Sequence, residues 1–257
     1  MRLRQVALIA RDTDKISAAF DAVLGMKVGY RDPGVGVFGL TNVVMPCGGE
    51  FVEVVAPFRD DASGARYLAR RGGDAGYMVI LQDADALAHR ERLAADGVRV
   101  IATDGGRAGG YRFTHFHPGD CAGVLMSIDS VVGDADWEQP MSAWPPAGPA
   151  WLNHPADHAL GVSAVTIQSP DPLGACERWS FLLGRHASML DDGFQISLER
   201  GAIRFVNPVD ADGTGVVGLD IEVRDGHAAL ERARAAGLPV AGGAVEICGT
   251  IVRPVSV

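Results

Sequence analysis

GYMVILQDADAL at residues 76–87 and GLDIEVRDGHAAL at 218–230 open the same passage twice. Each alternates apolar residues as a strand does, then turns through an aspartate into a helical run. After the helix, AADGVRV at 94–100 is answered by AAGLPV at 235–240. The echo reaches upstream as well. Residues 1–57 run strand, helix, Leu24-Gly25, strand, strand and FVEVVAP (51–57). Residues 161–208 run strand, helix, Leu183-Gly184, strand and AIRFVNP (202–208). Self-similarity on this scale has to be settled before any motif is weighed, because it decides where a site can lie.

Working outward, the first unit opens with a strand at 3–10. Asp12 or Thr13 caps a helix over about 14–24, with Ile16, Ala19, Phe20 and Val23 on one face and Gly25 as its stop. Strands are expected near 26–30, 35–45 and 50–56, separated by the turn signals Asp32-Pro33-Gly34 and Cys47-Gly48-Gly49. The second unit has strands at 76–82, 98–102, 111–116 and 123–129 and a helix over 83–96 ended by Gly97. Residues 131–157 break the rhythm with five prolines and three tryptophans and read as a linker that packs on a surface. The third and fourth units occupy 158–257 and are shorter, the last with little after Val252. Each unit is βαβββ. One such sheet has a bare apolar face and must pair with another. The expectation is an α+β fold of four βαβββ units forming two cups with curved, mostly antiparallel sheets: one cup from 1–130, the linker 131–157, and a second, shortened cup from 158–257.

Composition narrows the function classes. The chain has 257 residues, enough for one large or two medium domains, and a net charge of −9. No basic stripe interleaves with aromatics, which argues against nucleic acid. No apolar run approaches the ~20 residues that cross a bilayer. RLRQVALIA begins as a strand and not as a secretory signal, so the expected location is cytoplasmic. Cys47, Cys121, Cys176 and Cys248 are scattered, form no CxxC, and read as free, mostly buried thiols.

RQVALIARD (4–12), the Leu-Gly after the helix, FVEVVAP, GYMVILQDADAL and HFHPGDCAGVLMSID (115–129) together resemble the vicinal-oxygen-chelate superfamily. That superfamily includes glyoxalase I, methylmalonyl-CoA epimerase, extradiol dioxygenases and bleomycin-resistance proteins. The resemblance covers nearly the whole chain and implies a tandem glyoxalase-like protein. In such proteins two units close a U-shaped sheet around a divalent metal. The family's four metal positions fall on Gln5, Glu53, Tyr77 and Ser127. Only the first two keep ligand chemistry, and a zinc, iron or manganese site wants three or four good donors. An extradiol dioxygenase is disfavoured because its His-His-Glu set is absent from the matching positions. In the second half the equivalent slots are Ser163, Arg204, Leu219 and Arg253, and none forms a metal site. Arg204 stands where Glu53 does, which reads as an anion-binding pocket or an ion pair between the halves.

Glu53 sits between valines on an apolar strand, where an unpaired carboxylate is costly. It is either functional or paired with Arg112 or another arginine. His115 and His117 are two apart on a strand and share a face. They are a hydrogen-bonded pair at a strand end, a base with its partner, or two nitrogen ligands with Glu53 as the oxygen. Tyr77 is a core aromatic or a phenol donor. Arg70-Arg71-Gly72-Gly73 reads as a helix end, Gly105 to Gly110 as a loop able to act as a lid, and His154 and His158 as linker residues.

The expected site is therefore the first cup, with Glu53, His115 and Tyr77 as catalytic candidates and Gln5, Ser127 and Arg112 as substrate contacts. The metal candidates are His115, His117 and Glu53, so the cofactor is either none or a weakly held divalent metal. As an enzyme the protein is a lyase or isomerase moving protons beside a carbonyl of a small oxygenated metabolite. As a binding protein it sequesters a small molecule in the manner of bleomycin-resistance proteins. Expected partners are a small-molecule ligand and no nucleic acid or membrane, with a homodimer left open.

Overall fold

The computed structural model describes residues 1–105 and 110–257. The Gly105–Gly110 segment, read above as a lid, lies largely outside the described residues. The first half of the chain forms β1 (Arg2–Ile9), α1 (Thr13–Leu24), β2 (Leu40–Cys47), β3 (Glu50–Pro57), α2 (Ser63–Arg71), β4 (Ala75–Gln82), α3 (Ala86–Ala95), β5 (Val100–Thr103), β6 (Tyr111–Phe116) and β7 (Leu125–Val131). The second half forms β8 (Ala159–Gln168), α4 (Pro172–Leu183), β9 (Ala187–Leu190), β10 (Gly193–Ser197), β11 (Ala202–Val206), β12 (Gly215–Val223), α5 (Gly226–Ala235), β13 (Val240–Ala241), β14 (Ala244–Ile247) and β15 (Thr250–Ser256).

These strands make two separate sheets, ordered β2-β3-β1-β4-β7-β6-β5 and β13-β14-β15-β12-β8-β11-β10-β9. In each sheet the first strands of two units pair antiparallel at the centre, β1 with β4 and β8 with β12. The last strand of each unit lies parallel to its own first strand, as β3 does to β1 and β11 to β8. The remaining pairings are antiparallel, so the sheets are mixed but mostly antiparallel, as the repeat implies.

Local chemistry explains the elements. Asp12 accepts from the Asp14 and Lys15 amides, opening α1, and Gly25 closes it at φ 66°, a left-handed conformation that costs glycine least. Ile16, Phe20, Val23 and Leu24 form its buried face. Arg70 and Arg71 end α2, with Gly72 as its left-handed stop.

Two expectations need correction. No strand forms over 26–30: Tyr30 makes a single bridge to Val44, and Pro33–Phe38 is a 3-10 turn. Asp32 accepts the Gly34 amide, and Pro33 lacks the N–H a ladder needs, so the chain coils where a strand was expected. The fourth unit is shorter than the second but has a full set of elements. It keeps three strands after its helix, and β15 runs to Ser256.

The helix-covered faces of the two sheets meet in one apolar core, which takes in Leu8, Phe20 and Met126 from one half and Val165, Trp179 and Leu219 from the other. The halves are also stitched by Trp179 Nε1 donating to the Cys121 carbonyl at 3.0 Å and Arg232 Nε donating to the Val23 carbonyl at 2.8 Å. All four cysteines are free and buried. Among the described residues, no helix is long and apolar enough to cross a membrane.

Candidate active site

The other face of the first sheet is the inside of a cup. Register aligns Gln5 of β1 with Ile80 of β4, Ile80 with Ser127 of β7, and Ser127 with His115 of β6. Two residues along, Glu53 of β3 stands beside Ala7 and Ala7 beside Met78. Side chains two apart share a face. Gln5, Glu53, Ser127 and His115 are therefore all on the concave side, and Asp129 and Tyr111 join them.

Glu53 is 6% exposed. One carboxylate oxygen accepts from Gln5 Nε2 at 2.8 Å and the other from Asn42 Nδ2 at 2.6 Å. Burial raises its pKa above the usual carboxylate value, and the two amide donors oppose that rise. Arg112 is not its partner. That guanidinium pairs with Asp104 at 3.3 Å, which also binds Arg90 at 2.8 Å.

On the opposite limb Asp129 accepts from the Tyr111 and Ser127 hydroxyls. Burial pushes its carboxyl up to about 7, although both hydroxyls favour the ionised form. The Tyr111 phenol is held well above its usual value by burial and then by Asp129. Gln82, opposite Asp129 in register, is fully buried, and neither its amide nitrogen nor its oxygen has a partner. No cation lies within ion-pair distance of Glu53 or Asp129 among the described residues. His115 packs between Phe38 and Phe113, with ring centroids 5.6 and 4.8 Å away, and burial lowers its pKa to about 4, so the ring is neutral near pH 7. Tyr77 packs edge-on against Tyr67, with its phenol raised by burial.

The linker decides the shape of this cup. Trp144, 1% exposed, lies between the limbs. Its Nε1 donates to Gln5 Oε1 at 2.8 Å. Its ring stacks on Phe51 at 6.4 Å and meets Tyr111 edge-on at 5.6 Å. Trp151 meets Phe51 edge-on at 5.0 Å. Two buried arginines of β1 strap the segment down: Arg2 donates to the Gln139 carbonyl at 2.7 Å, and Arg4 to those of Pro140 at 3.1 Å and Ser142 at 2.6 Å.

The residues of the family's metal positions do not suit a divalent ion. Gln5 spends its oxygen on Trp144 and its amide on Glu53, Ser127 donates to Asp129, and the Tyr77 phenol resists ionisation. The set His115, His117 and Glu53 is not gathered either. His117 Nδ1 accepts the Gly119 amide at 3.0 Å, and among the described residues no three His, Cys, Asp or Glu side chains are grouped to hold a metal.

Sequence reasoning missed Asp129, Tyr111, Asn42 and Trp144. Asp129 was legible, since LMSID puts Ser127 and Asp129 on one face of an apolar strand. Trp144 was not, because its partner Gln5 is 139 residues away.

The second cup differs. A cavity of about 650 Å³ opens on its concave face, lined among others by Thr166, Arg204, Val217, Gly218 and Arg253. Of the four slots read from the sequence, Arg204 and Arg253 reach this cavity, Leu219 is fully buried in the shared core, and Ser163 Oγ turns to the Asp220 carbonyl at 3.4 Å.

No protein-family profile matches the chain. An ethylmalonyl-CoA/methylmalonyl-CoA epimerase of Cereibacter sphaeroides is 26% identical over 134 residues, covering 51% of this chain and 98% of that protein. The structure of methylmalonyl-CoA epimerase from Mycobacterium tuberculosis aligns at 22% identity and a TM-score of 0.46, over 51% of this chain and 88% of that one. A triple mutant of 4-hydroxymandelate synthase from Streptomyces coelicolor aligns over 92% of this chain and 75% of its own, at 15% identity and a TM-score of 0.65. That last likeness spans both sheets and shows the fold. With the repeated units and paired cups, it gives this chain the fold of a tandem glyoxalase-like protein, two sheets each built from a pair of βαβββ units.

Proposed function

We propose that the chain is a glyoxalase-like isomerase that moves a proton on a carbon next to a carbonyl, in the first cup and without help from the family's metal positions. The observation that carries this reading is a pair of buried carboxylates, Glu53 and Asp129, on opposite limbs of one cup with no cation beside either among the described residues. Buried unpaired carboxylates are costly and cluster at functional sites. Epimerisation takes a proton from one face of a carbon and returns one to the other. Glu53, held by Gln5 and Asn42, serves as the base. Asp129, with a pKa of about 7, carries a proton it can return. Neutral His115 and the Tyr111 hydroxyl line the site as polar contacts, and the unpartnered Gln82 amide offers a further one. The name of the 26% identical relative describes the same class of reaction.

Trp144 fills the space between the limbs that carry Glu53 and Asp129, so on this reading turnover requires the linker to lift. The same plug favours a second reading, a binding protein whose first cup does no chemistry. The two separate by exchange of the α-proton into D2O, followed by proton NMR with methylmalonyl-CoA and simpler 2-substituted acyl thioesters. The isomerase reading expects exchange by the native protein, its loss in Glu53→Gln, and a slowed rate in Asp129→Asn. If the native protein and Trp144→Ala both bind a thioester yet exchange nothing, the binding reading stands instead.

A further inference from the structure

The position that holds a carboxylate in the first cup holds a guanidinium in the second. Glu53 lies beside Ala7 of β1, and Arg204 lies beside Thr166 of β8, in the same parallel pairing of each sheet. We propose that the second cup is a separate binding site for a small monocarboxylate with an apolar body, held by Arg204 and Arg253.

Three observations converge on it. First, the cavity of about 650 Å³ falls in the size range of small-molecule sites. Second, its floor carries a cluster of unbalanced charge. Asp220, 4% exposed, is shared by two arginines: Arg204 Nη1 on one oxygen and Arg253 Nη1 at 2.8 Å on the other. Arg204 also donates through Nε to Gln195 Oε1 at 3.1 Å. A guanidinium has five N–H donors. Both therefore keep donors to spare, and two positive charges face one negative. Asp220 fixes the forks in place, which lowers the ordering cost of binding an anion. Third, exposed apolar side chains gather on this cavity. Met189 is 81% exposed, Val209 58% and Ile251 39%, and all three line it with half-buried Phe194. Apolar walls over a cationic floor suit a ligand with one anionic end.

The rim restricts the charge of the ligand. Asp191 and Asp192 line the same cavity at the turn between β9 and β10, and both are exposed. They repel a second negative group, so a phosphate ester or a polyanion is disfavoured.

Benzoate is the probe, with benzamide as its neutral isostere, titrated into the whole protein by calorimetry and by amide chemical shifts. The expectation is saturable benzoate binding with shifts on β11 and β15, and benzamide binding at least about ten-fold weaker, the loss expected for one charge-assisted contact. Arg253→Gln leaves the Arg204–Asp220 pair intact and should weaken benzoate about ten-fold. Val209→Asp, at an exposed wall position, should weaken it without changing the fold. Glu53→Gln should bind benzoate as the native chain does. Equal binding of benzamide, no saturable binding of benzoate, or loss of benzoate binding in Glu53→Gln would each overturn the proposal. None of these results depends on isomerase activity in the first cup.

Discussion

Replacing Trp144 with alanine tests whether the linker is part of the folded cup or merely lies near it. The indole is 1% exposed, stacks on Phe51, meets Tyr111 edge-on and lies beneath the Arg4 guanidinium, whose centre is 5.3 Å from the ring. Truncating a buried tryptophan costs about 3–5 kcal/mol. The lost donor to Gln5 adds about 1 kcal/mol, because water entering the opened cup can replace it. A total of about 4–6 kcal/mol is therefore expected. For a chain of this size each kcal/mol moves the melting temperature by roughly 2–4 °C. Trp144→Phe keeps most of the ring contact and loses the hydrogen bond, for about 1–2 kcal/mol. Leu152→Ala is the control on the same segment, since Leu152 is 58% exposed and its loss should be within about 0.5 kcal/mol. Urea unfolding followed by circular dichroism reads all three. If Trp144→Ala costs no more than Leu152→Ala, the linker is not docked in solution, and the argument that it closes the first cup fails.

Asp129 and His115 predict opposite pH slopes. Asp129 has a folded pKa of about 7, raised from 3.8, so between those values the folded state binds more protons and stability falls as pH rises. Asp129→Asn should remove that loss and melt higher than the native chain above pH 7. His115 has a folded pKa of about 4, lowered from 6.5, so the unfolded state binds more protons across that window and stability falls as pH drops. His115→Phe should flatten the acid limb of a melting-temperature profile between those two values. Gly48 has φ 60°, and a Cβ there would lie 1.9 Å from the Leu160 carbonyl of the other half. Gly48→Ala should therefore cost several times what Gly97→Ala does, since Gly97 also has positive φ but open space around it; comparing the two midpoints in urea checks this.

Much of the architecture was legible because the signals are local and doubled. Asp12 capping α1, Gly25 stopping it and Gly72 closing α2 depend on residues a few positions apart. The strand expected over 26–30 failed because a proline and an aspartate turn one step away outweighed a short apolar run. In the site, Glu53 was visible as a carboxylate among valines, but its partners Gln5 and Asn42 come from other strands, and Arg112 goes to Asp104 instead.

The sequence by itself determined the unit order and the exchange of Glu53 for Arg204 between the halves, which follow from periodicity, turn chemistry and the repeat; the pairing of units into cups came from the family resemblance. Only the tertiary structure decided which cup is filled and which is open. Trp144 reaches Gln5 across 139 residues, while Arg204, Asp220 and Arg253 meet from three strands around a cavity. Those outcomes depend on how far apart two limbs of a curved sheet stand and which side chain occupies the gap, and no local pattern of residues encodes that distance.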